Sequence, residues 1–466
     1  MLVVVVTWAV GIPRFSSPDE YAHVYKAYAT AHGQLLGKAA PGFQNNLREF
    51  DGPASLGVPN LGCYVGQPDV PAGCDTDVSP RLISSAARYP PWYYGVVGVP
   101  VAVSGQSDRP MAYRLVSAVC CVALLALAMF LAKRSKRADV VALQVAAMTP
   151  MALFLFASVN PNSIEIAVFV AIWACLTRVT TDDRLPRGLL ILASLLSAMV
   201  VLMRPISLLW MIGVVVVVLI GANPARRREL FSRRLVAWEV GPTAVALVAS
   251  WAWALYARIE VKDDNLVNSL TLSGALRQSV DNWPRYMRQT IGVLGWLDTT
   301  LPSFVYAAWL VALVVVVIIH VRTANARGMV ALVALVAAWL ALPLIINGFT
   351  NSRAGLTYQG RYSLPVFVGL VFLPMWGDRP ALRWPRLPQR GLIGLVLALV
   401  VVAEVGAFWQ MLRRFTVGAD GKVLLTGNLP WEPAVAPMVL IALNAAAMLA
   451  VCWSAWRPWG PVEGRQ

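Results

Sequence analysis

The stretch GMVALVALVAAWLALPLIINGFTNS, residues 328–352, contains no Asp, Glu, Lys or Arg. Three further stretches, 140–164, 205–225 and 433–456, are uncharged in the same way. A helix needs about 20 residues to cross the hydrocarbon core of a bilayer. Each stretch is therefore long enough to be a transmembrane helix, and together they decide the fold class.

The composition agrees with a membrane protein. Hydrophobic residues make up 58% of the chain and charged residues 14%, and the mean hydropathy is +0.63. Soluble domains carry about 25% charged residues, so a soluble protein is excluded. The net charge of +15 is divided among short basic clusters, such as residues 133–137, that separate the apolar stretches. That pattern sets membrane orientation and is not a continuous nucleic-acid-binding surface.

We predict an all-α, polytopic integral membrane protein with about twelve transmembrane helices. The first comprises residues 1–11, and the others lie near 112–132, 138–158, 163–180, 187–203, 206–222, 235–257, 303–321, 328–348, 362–377, 391–411 and 434–456. The short loops that are richer in Lys and Arg are placed inside. Both termini are then cytoplasmic, in the plasma (inner) membrane of a bacterial cell.

The chain, 1–466, is interpreted as one transmembrane domain with two large outer loops, 13–111 and 258–302. Because the inner loops are short, we expect the function at the outer face. The apolar segment 89–105 begins with the aromatic run YPPWYY, which is typical of a membrane interface. We predict a juxtamembrane or re-entrant helix there, with Tyr93 as a candidate substrate contact.

Two cysteines, Cys63 and Cys74, share the first large loop. If that loop is extracytoplasmic they can form a disulfide, and the sequence leaves this pairing and two free thiols equally open. The other cysteines lie in apolar stretches and are interpreted as packing residues: Cys120, Cys121, Cys175 and Cys452.

The segment SPDEYAH, residues 17–23, places two acids and a histidine where the first helix ends. One interpretation is structural, because acids are favoured at a helix N-terminus. The other is a general base or a metal-ligating carboxylate, with Asp19, Glu20 and His23 as candidate catalytic residues. Adjacent side chains point about 100° apart on a helix, so we expect only one acid to face a substrate.

The segment NPNSIE, residues 160–165, is a second candidate. Its structural interpretation is an Asn-Pro turn with Ser163 as a helix cap. However, an acid at the membrane boundary is costly and often functional. We predict Glu165 as a catalytic or metal-ligating residue, and Asn160 and Asn162 as substrate contacts.

Arginines at the outer membrane boundary form a third group of candidates. Arg204 lies between two apolar stretches, and Arg361 lies where a loop re-enters the membrane in the sequence YQGRYSLP. Arginine binds phosphate through a planar fork of donors. We predict a phosphate or headgroup site formed by Arg204, Arg353 and Arg361 with Gln359 and Tyr362. Interfacial anchoring is the structural alternative.

Glu404 lies inside the predicted span 391–411. An acid within the membrane is a candidate functional residue, and pairing with a neighbouring helix is the alternative. The acids of the second large loop are expected to be solvated: Asp263, Asp264, Asp281 and Asp298. The sequence has no GxxxxGK[ST] phosphate-binding loop, so ATP-driven transport by this chain is not expected.

The order of these motifs resembles that of a bacterial membrane protein family, domain-of-unknown-function family 2142. The resemblance covers roughly 10–415 and rests on five segments: 18–23, 89–94, Arg114, 160–163 and 359–365. That family in turn is similar to the glycosyltransferase C (GT-C) superfamily. The resemblance implies a GT-C-like fold and transfer of a sugar from a polyprenyl-phosphate carrier at the outer face.

The resemblance also implies roles for individual residues. Asp19 or Glu20 would be the catalytic acid/base or a metal ligand, Glu165 the second acidic position, and Arg361 the ligand of the carrier phosphate. Asn162 stands where the resemblance leads us to expect Asp. Either Glu165 takes over that role or the position is not catalytic here. No cofactor is certain, and a divalent cation, Mg or Mn, at Asp19 and Glu165 is optional.

Three functions are compared on this basis. The leading one is a glycosyltransferase for a cell-envelope glycan or glycolipid in polysaccharide biosynthesis. Its partners would be a polyprenyl-phosphate-linked sugar donor, a glycan or lipid acceptor and the bilayer, with no nucleic acid. The alternatives are a transporter or flippase for a lipid-linked saccharide, with Glu404 as a coupling site, and a non-catalytic partner in envelope assembly.

Overall fold

The computed structural model describes residues 1–40, 47–74, 78–135, 138–204, 206–232, 234, 236–257, 270–377 and 389–457, without the side chains of 138, 353 and 354. Its helices are α1 Leu2–Gly11, α2 Glu20–Ala31, α3 Pro91–Val103, α4 Pro110–Lys133, α5 Ala138–Leu143, α6 Pro150–Phe156, α7 Pro161–Thr181, α8 Arg187–Met203, α9 Ser207–Gly221, α10 Pro224–Ser232, α11 Ala237–Ala257, α12 Leu272–Asp281, α13 Trp283–Ile291, α14 Ser303–Thr323, α15 Ala326–Ala354, α16 Leu364–Phe367, α17 Gln389–Val417 and α18 Pro437–Trp456. Its strands are β1 Lys38–Ala39, β2 Arg48–Phe50, β3 Val58–Pro59, β4 Val78–Ser79, β5 Leu82–Ser84, β6 Val293–Leu294 and β7 Thr299–Thr300.

Within the described residues, 7 helices are long and apolar enough to cross a membrane: α4, α7, α11, α14, α15, α17 and α18. A bent helix pair raises the number to 8, and α1, α8 and α9 are apolar but shorter. The predicted helical, multi-pass fold class is therefore confirmed. The predicted number of about twelve spans is not confirmed.

The bent pair replaces the straight span predicted at 138–158. Its two parts, Asp139–Ala147 and Pro150–Phe156, meet at an angle of 74°. The second part starts as a separate helix, because the hydroxyl of Thr149 accepts a hydrogen bond of 3.1 Å from the amide of Ala152. A capping hydroxyl followed by proline at the first helical position is a strong helix start.

The segment predicted as a span at 362–377 is also irregular. It folds as α16 followed by the 3₁₀-helix Val368–Trp376, which contains Pro374. Both pieces are buried against α7, where the indole of Trp173 donates to the carbonyl of Pro365 at 3.0 Å. Such irregular backbone is tolerated at membrane depth when protein covers it.

Helix α7 is the centre of the molecule. Every side chain from Pro161 to Cys175 is buried, and α4, α6, α8, α9 and the 3₁₀-helix Val368–Trp376 pack around it. Helix α11 is the opposite case, because it leaves large apolar side chains exposed: Trp238, Val245, Val248 and Trp251. Exposed apolar surface of this extent fits contact with lipid.

The first large loop folds into helices and small sheets rather than an open chain. Strands β1, β2 and β5 form an antiparallel sheet, and β3 pairs with β4. Helix α3, within the predicted segment 89–105, packs on α2 and α4; its 13 residues are too few to span a bilayer. A disulfide joins Cys63 to Cys74, so the disulfide alternative is the one that the structure contains.

In the second large loop, α12 and α13 are followed by a hairpin of β6 and β7. Residues 258–269, which include Asp263 and Asp264, lie outside the described part of the chain. Asp281 is exposed, as predicted for a solvated acid. Asp298 is not simply solvated, since it accepts hydrogen bonds from the amide of Gly66 at 3.0 Å and from Arg414 at 3.4 Å.

Candidate active site

The two acidic motifs meet where the turn between α1 and α2 contacts the turn between α6 and α7. The hydroxyl of Ser17 donates to that of Ser158 at 3.1 Å. The side-chain amide of Asn160 donates to the carbonyl of Pro18 at 3.3 Å, while its oxygen caps α7. Segments far apart in the sequence therefore form one site at the N-terminal end of the buried helix α7.

Glu20 is fully engaged in a buried ion pair. Its carboxylate accepts from Arg114 at 2.7 Å (Nε) and 2.6 Å (Nη2), and from the amide of Val159 at 3.2 Å. Arg114 also donates to three backbone carbonyls at the end of α1: those of Ala9, Ile12 and Pro13. This geometry ties Glu20 to the scaffold and does not favour the predicted catalytic role.

Asp19 has the opposite environment. It is partly exposed, makes no side-chain capping bond and has left-handed backbone angles, φ 61° and ψ 7°. Within the described residues, its carboxylate accepts no hydrogen bond. An L-residue in this conformation costs about 1–2 kcal/mol, and such strain collects at functional sites. Of the two adjacent acids, Asp19 is therefore the one available to a substrate.

His23 lies one helical turn after Asp19, and its amide donates to the Asp19 carbonyl at 3.1 Å. Its Nδ1 shares a hydrogen bond of 2.9 Å with the hydroxyl of Tyr94. Burial, and to a lesser extent the charges of Arg204 and Arg361, lower the pKa of His23 from 6.5 to about 3. His23 is therefore neutral at physiological pH, and both arginines lie within its electrostatic reach.

Glu165 is buried on α7 and is paired with Arg204. Its carboxylate accepts from the hydroxyl of Ser207 and from Arg204 at 3.3 Å. The same arginine nitrogen, Nη1, donates to the side-chain oxygen of Asn162 at 2.7 Å. Glu165 and Asn162 therefore hold Arg204 in place, which is a positioning role.

Arg361 lies next to this group, since both arginines contact Tyr362. The guanidinium carbons of Arg204 and Arg361 lie 5.2 Å and 5.5 Å from the centre of the Tyr362 ring. Arg361 is only 2% exposed, yet its Nε and Nη1 have no hydrogen-bond partner among the described residues. A buried charge without a partner is costly, so these two nitrogens are candidates for binding an anion.

The backbone of the 3₁₀-helix Gly360–Ser363 is fixed against α13. The amide of Gly360 donates to the side-chain oxygen of Gln289 at 2.8 Å, and the hydroxyl of Thr290 donates to the Gly360 carbonyl at 3.0 Å. A Cβ at Gly360 would collide with the carbonyl of Tyr286, so only glycine allows this close approach.

Three further residues were predicted to contact the substrate: Gln359, Tyr93 and Arg353. Gln359 has a buried side-chain oxygen without a partner among the described residues, and its role as a substrate contact stays a prediction. Tyr93 is buried and packs edge-on against Tyr94, with ring centroids 5.0 Å apart. The side chain of Arg353 lies outside the described part of the chain.

An apolar cavity of about 450 Å³ lies beside the site, between α3, α4, α7 and α8. Its wall includes Tyr93, Ile164 and Met203, each adjacent in sequence to a polar site residue. The cavity is almost wholly apolar, which suits a hydrocarbon chain.

A metal site is not evident among the described residues, where no group of three or more His, Cys, Asp or Glu is close enough to hold an ion. The carboxylate of Glu165 already bonds to the cation Arg204, so it is a poor second ligand beside Asp19. The optional divalent cation stays a prediction, and no reaction step below depends on it.

Three residues contact the candidate site in ways that the sequence does not predict: Tyr89, Tyr94 and Arg114. His23 stacks with Tyr89 and Tyr94, each with ring centroids 6.0 Å apart. The aromatic run that contains both tyrosines was interpreted as a membrane interface signature, so its polar contacts were missed. The signal that could have found Arg114 is that it is a charge within an apolar helix.

The chain belongs to a family described as "Predicted membrane protein (DUF2142)", which matches residues 2–370. This confirms the family predicted from the motif order and shows a membrane protein. A comparison with curated proteins finds no match. Among solved structures, the chain is similar to a crystal structure of ArnT from Cupriavidus metallidurans bound to undecaprenyl phosphate (TM-score 0.47, 15% identity, covering 97% of this chain and 75% of that chain). It is also similar to ArnT from the same organism in the apo state (TM-score 0.45, 14% identity, with 97% and 75% covered).

Proposed function

We propose that this protein is a GT-C-type membrane glycosyltransferase. It transfers a sugar from a polyprenyl-phosphate carrier to a cell-envelope glycan or glycolipid. The observation that carries the proposal is the buried guanidinium of Arg361, whose Nε and Nη1 lack partners among the described residues. It lies in the same cluster as Asp19, whose carboxylate is free.

The arginines suit the phosphate of a lipid carrier. Arg361 offers two unused donors, and Arg204 is fixed beside it by Glu165 and Asn162. Preorganised cations in a water-poor site stabilise charge that develops on a leaving phosphate. The adjoining apolar cavity accommodates the first part of the polyprenyl chain.

Asp19 suits the role of general base. As the oxygen of an acceptor hydroxyl bonds to the anomeric carbon of the donor sugar, the Asp19 carboxylate takes the hydroxyl proton. The bond between that carbon and the phosphate oxygen breaks, and its electron pair stays on the phosphate, opposite Arg361. Positioned general bases contribute roughly 10²–10⁴-fold to a rate.

His23 supports this arrangement as a neutral side chain. Its low pKa, about 3, keeps a third positive charge out of the site. Its bond to Tyr94 fixes the ring at the base of α2. The proposed orientation places this site at the extracytoplasmic face of the plasma membrane, with both termini in the cytoplasm.

The test is sugar transfer by the purified protein in detergent, with a panel of radiolabelled polyprenyl-phosphate sugars. Asp19→Asn is expected to lower transfer by roughly 100-fold or more. Asp51→Asn is the matched control, since Asp51 is an exposed acid of the same loop. Full activity of Asp19→Asn would contradict the assigned base and favour a non-catalytic assembly partner.

A lipid-linked saccharide transporter is the second candidate, and one observation favours it. Glu404 in α17 is buried, and its carboxylate has no ion-pair partner among the described residues, although the indole of Trp309 lies close to it. Acids in such positions act in proton coupling. In proteoliposomes, proton-dependent lipid movement that Glu404→Gln abolishes, without any sugar transfer by the wild type, would favour the transporter.

A further inference from the structure

Tyr21 and Trp296 form a stacked aromatic pair beside Asp19. Their ring centroids are 6.2 Å apart and the ring planes differ by 25°. Tyr21 is on α2, whereas Trp296 is in the turn between β6 and β7. Both side chains are partly exposed, so the pair presents aromatic surface to the space outside the protein.

Tyr21 and His23 lie on different faces of α2, because they are two residues apart and their side chains point about 200° apart. The charges of Arg204 and Arg361 act on His23. Asp19 immediately precedes α2, and its charge acts on Tyr21.

The backbone around the pair is strained. Among the described residues, three other than glycine have positive φ: Phe15 (62°), Asp19 (61°) and Leu297 (63°). All three belong to the two turns that carry the pair and the proposed base. The indole of Trp296 donates to the carbonyl of Phe15 at 3.3 Å, which ties one strained turn to the other. Such strain is characteristic of preorganised functional sites.

The hairpin that carries Trp296 is also fixed by the hydrogen bonds of Asp298. The neighbouring Asp298 accepts from the amide of Gly66 and from the buried Arg414. Arg414 further donates to the carbonyl of Tyr64 at 2.7 Å, next to the disulfide-bonded Cys63. Trp296 is thus fixed by side-chain contacts rather than placed on a free loop.

We propose that Tyr21 and Trp296 bind the acceptor by stacking against the apolar C–H face of a pyranose ring, and so select a glycan as the acceptor. This inference rests on the proposed glycosyltransferase function. The donor sugar extends from the phosphate at Arg361, so the acceptor approaches Asp19 from the other side. An aromatic wall with one polar group at its edge is typical of an orienting binding site.

The test compares Trp296→Ala with Trp431→Ala in the full chain. Trp431 is the matched control because it is a partly exposed tryptophan in another loop, packed on Phe415. The acceptors are methyl glycosides of gluco-, galacto-, manno- and rhamnopyranose. Acceptor-dependent transfer and acceptor-independent hydrolysis of the donor are measured separately.

Trp296→Ala is expected to raise the KM for the glycoside at least about tenfold, equivalent to about 1.4 kcal/mol. Donor hydrolysis by Trp296→Ala is expected to fall far less than acceptor-dependent transfer, and Trp431→Ala is expected to stay at the wild-type level in both. An unchanged KM, or an equal loss of hydrolysis and transfer, would overturn the acceptor role. Wild-type hydrolysis without transfer to any glycoside would also overturn it, yet leave the donor chemistry intact. No wild-type turnover at all would overturn the proposed function itself.

Discussion

Arg114 and Arg361 are equally hidden from solvent, each 2% exposed, but their surroundings differ completely. Arg114 donates twice to Glu20 and also to three backbone carbonyls. Arg361 has two nitrogens without any partner among the described residues. Burial alone therefore does not separate a structural arginine from a binding one. The separating property is whether the protein itself satisfies the donors.

The largest effect on stability is expected from breaking the buried ion pair between Arg114 and Glu20. Arg114→Leu leaves the Glu20 carboxylate buried without its cation, which typically costs about 3–5 kcal/mol of stability. The measurement is thermal unfolding in detergent. The double variant Arg114→Leu/Glu20→Gln removes the stranded charge and is expected to recover part of the loss. Wild-type stability of Arg114→Leu would mean that the pair is not structural.

Replacing Arg361 is expected to lower activity without lowering stability. Arg361→Gln should lower sugar transfer roughly 10²–10³-fold, or about 2.7–4 kcal/mol in the transition state. Its thermal stability without substrate should be unchanged or higher, since an unpaired buried charge is removed. Arg109→Gln, at an exposed helix start, is the control. Loss of stability in Arg361→Gln would indicate that Arg361 is a second scaffold arginine.

The effect of pH on stability is expected to be smaller for each pH unit, and it reports on the same arginines. The pKa of His23 is lowered from 6.5 to about 3, first by burial and then by Arg204 and Arg361. Between these values the unfolded chain binds more protons than the folded one. Stability should therefore fall as pH decreases from 6.5 towards 3, by at most about 1.4 kcal/mol per pH unit.

The measurement is the unfolding temperature as a function of pH for wild type and His23→Gln. The variant should lose this part of the acid sensitivity, and Arg361→Gln should weaken it because one of the two charges is gone. Identical pH profiles for all three proteins would show that His23 does not titrate as described.

The smallest effect is expected for an exposed ion pair that has the same N···O distance as the buried one. Lys38 and Asp51 approach to 2.6 Å, as Arg114 and Glu20 do, but both are largely exposed. Solvent and salt screen such pairs. Lys38→Ala should leave the unfolding temperature and sugar transfer unchanged. A clear loss of stability would mean that distance matters more than burial in this molecule.

The sequence predicted the fold class and the family correctly. Uncharged stretches marked the helices, and the order of motifs identified the family. The prediction failed where prolines and caps divide an apolar stretch, as in 138–158 and 362–377. Hydropathy measures only average polarity, so it does not detect a break that neighbouring helices shield from lipid.

Within the candidate site, the sequence singled out segments whose functional roles stay predictions. The structure joins Asn160 to the first acidic motif at Pro18, and Arg361 lies within electrostatic reach of His23. Glu165 and Asn162 are committed to holding Arg204, which neighbouring residues in the sequence do not reveal. Trp296 was not selected, because nothing in its local sequence relates it to Tyr21.

The sequence by itself determined that this chain is a helical membrane protein with a polar site where helices end, since long uncharged stretches have no other stable environment. Only the tertiary structure decided which of two adjacent acids is free. Glu20 is neutralised by Arg114, which is 94 residues away along the chain, whereas Asp19 has no such partner among the described residues. Pairing of buried charges depends on contacts between distant segments, and these exist only once the chain has folded.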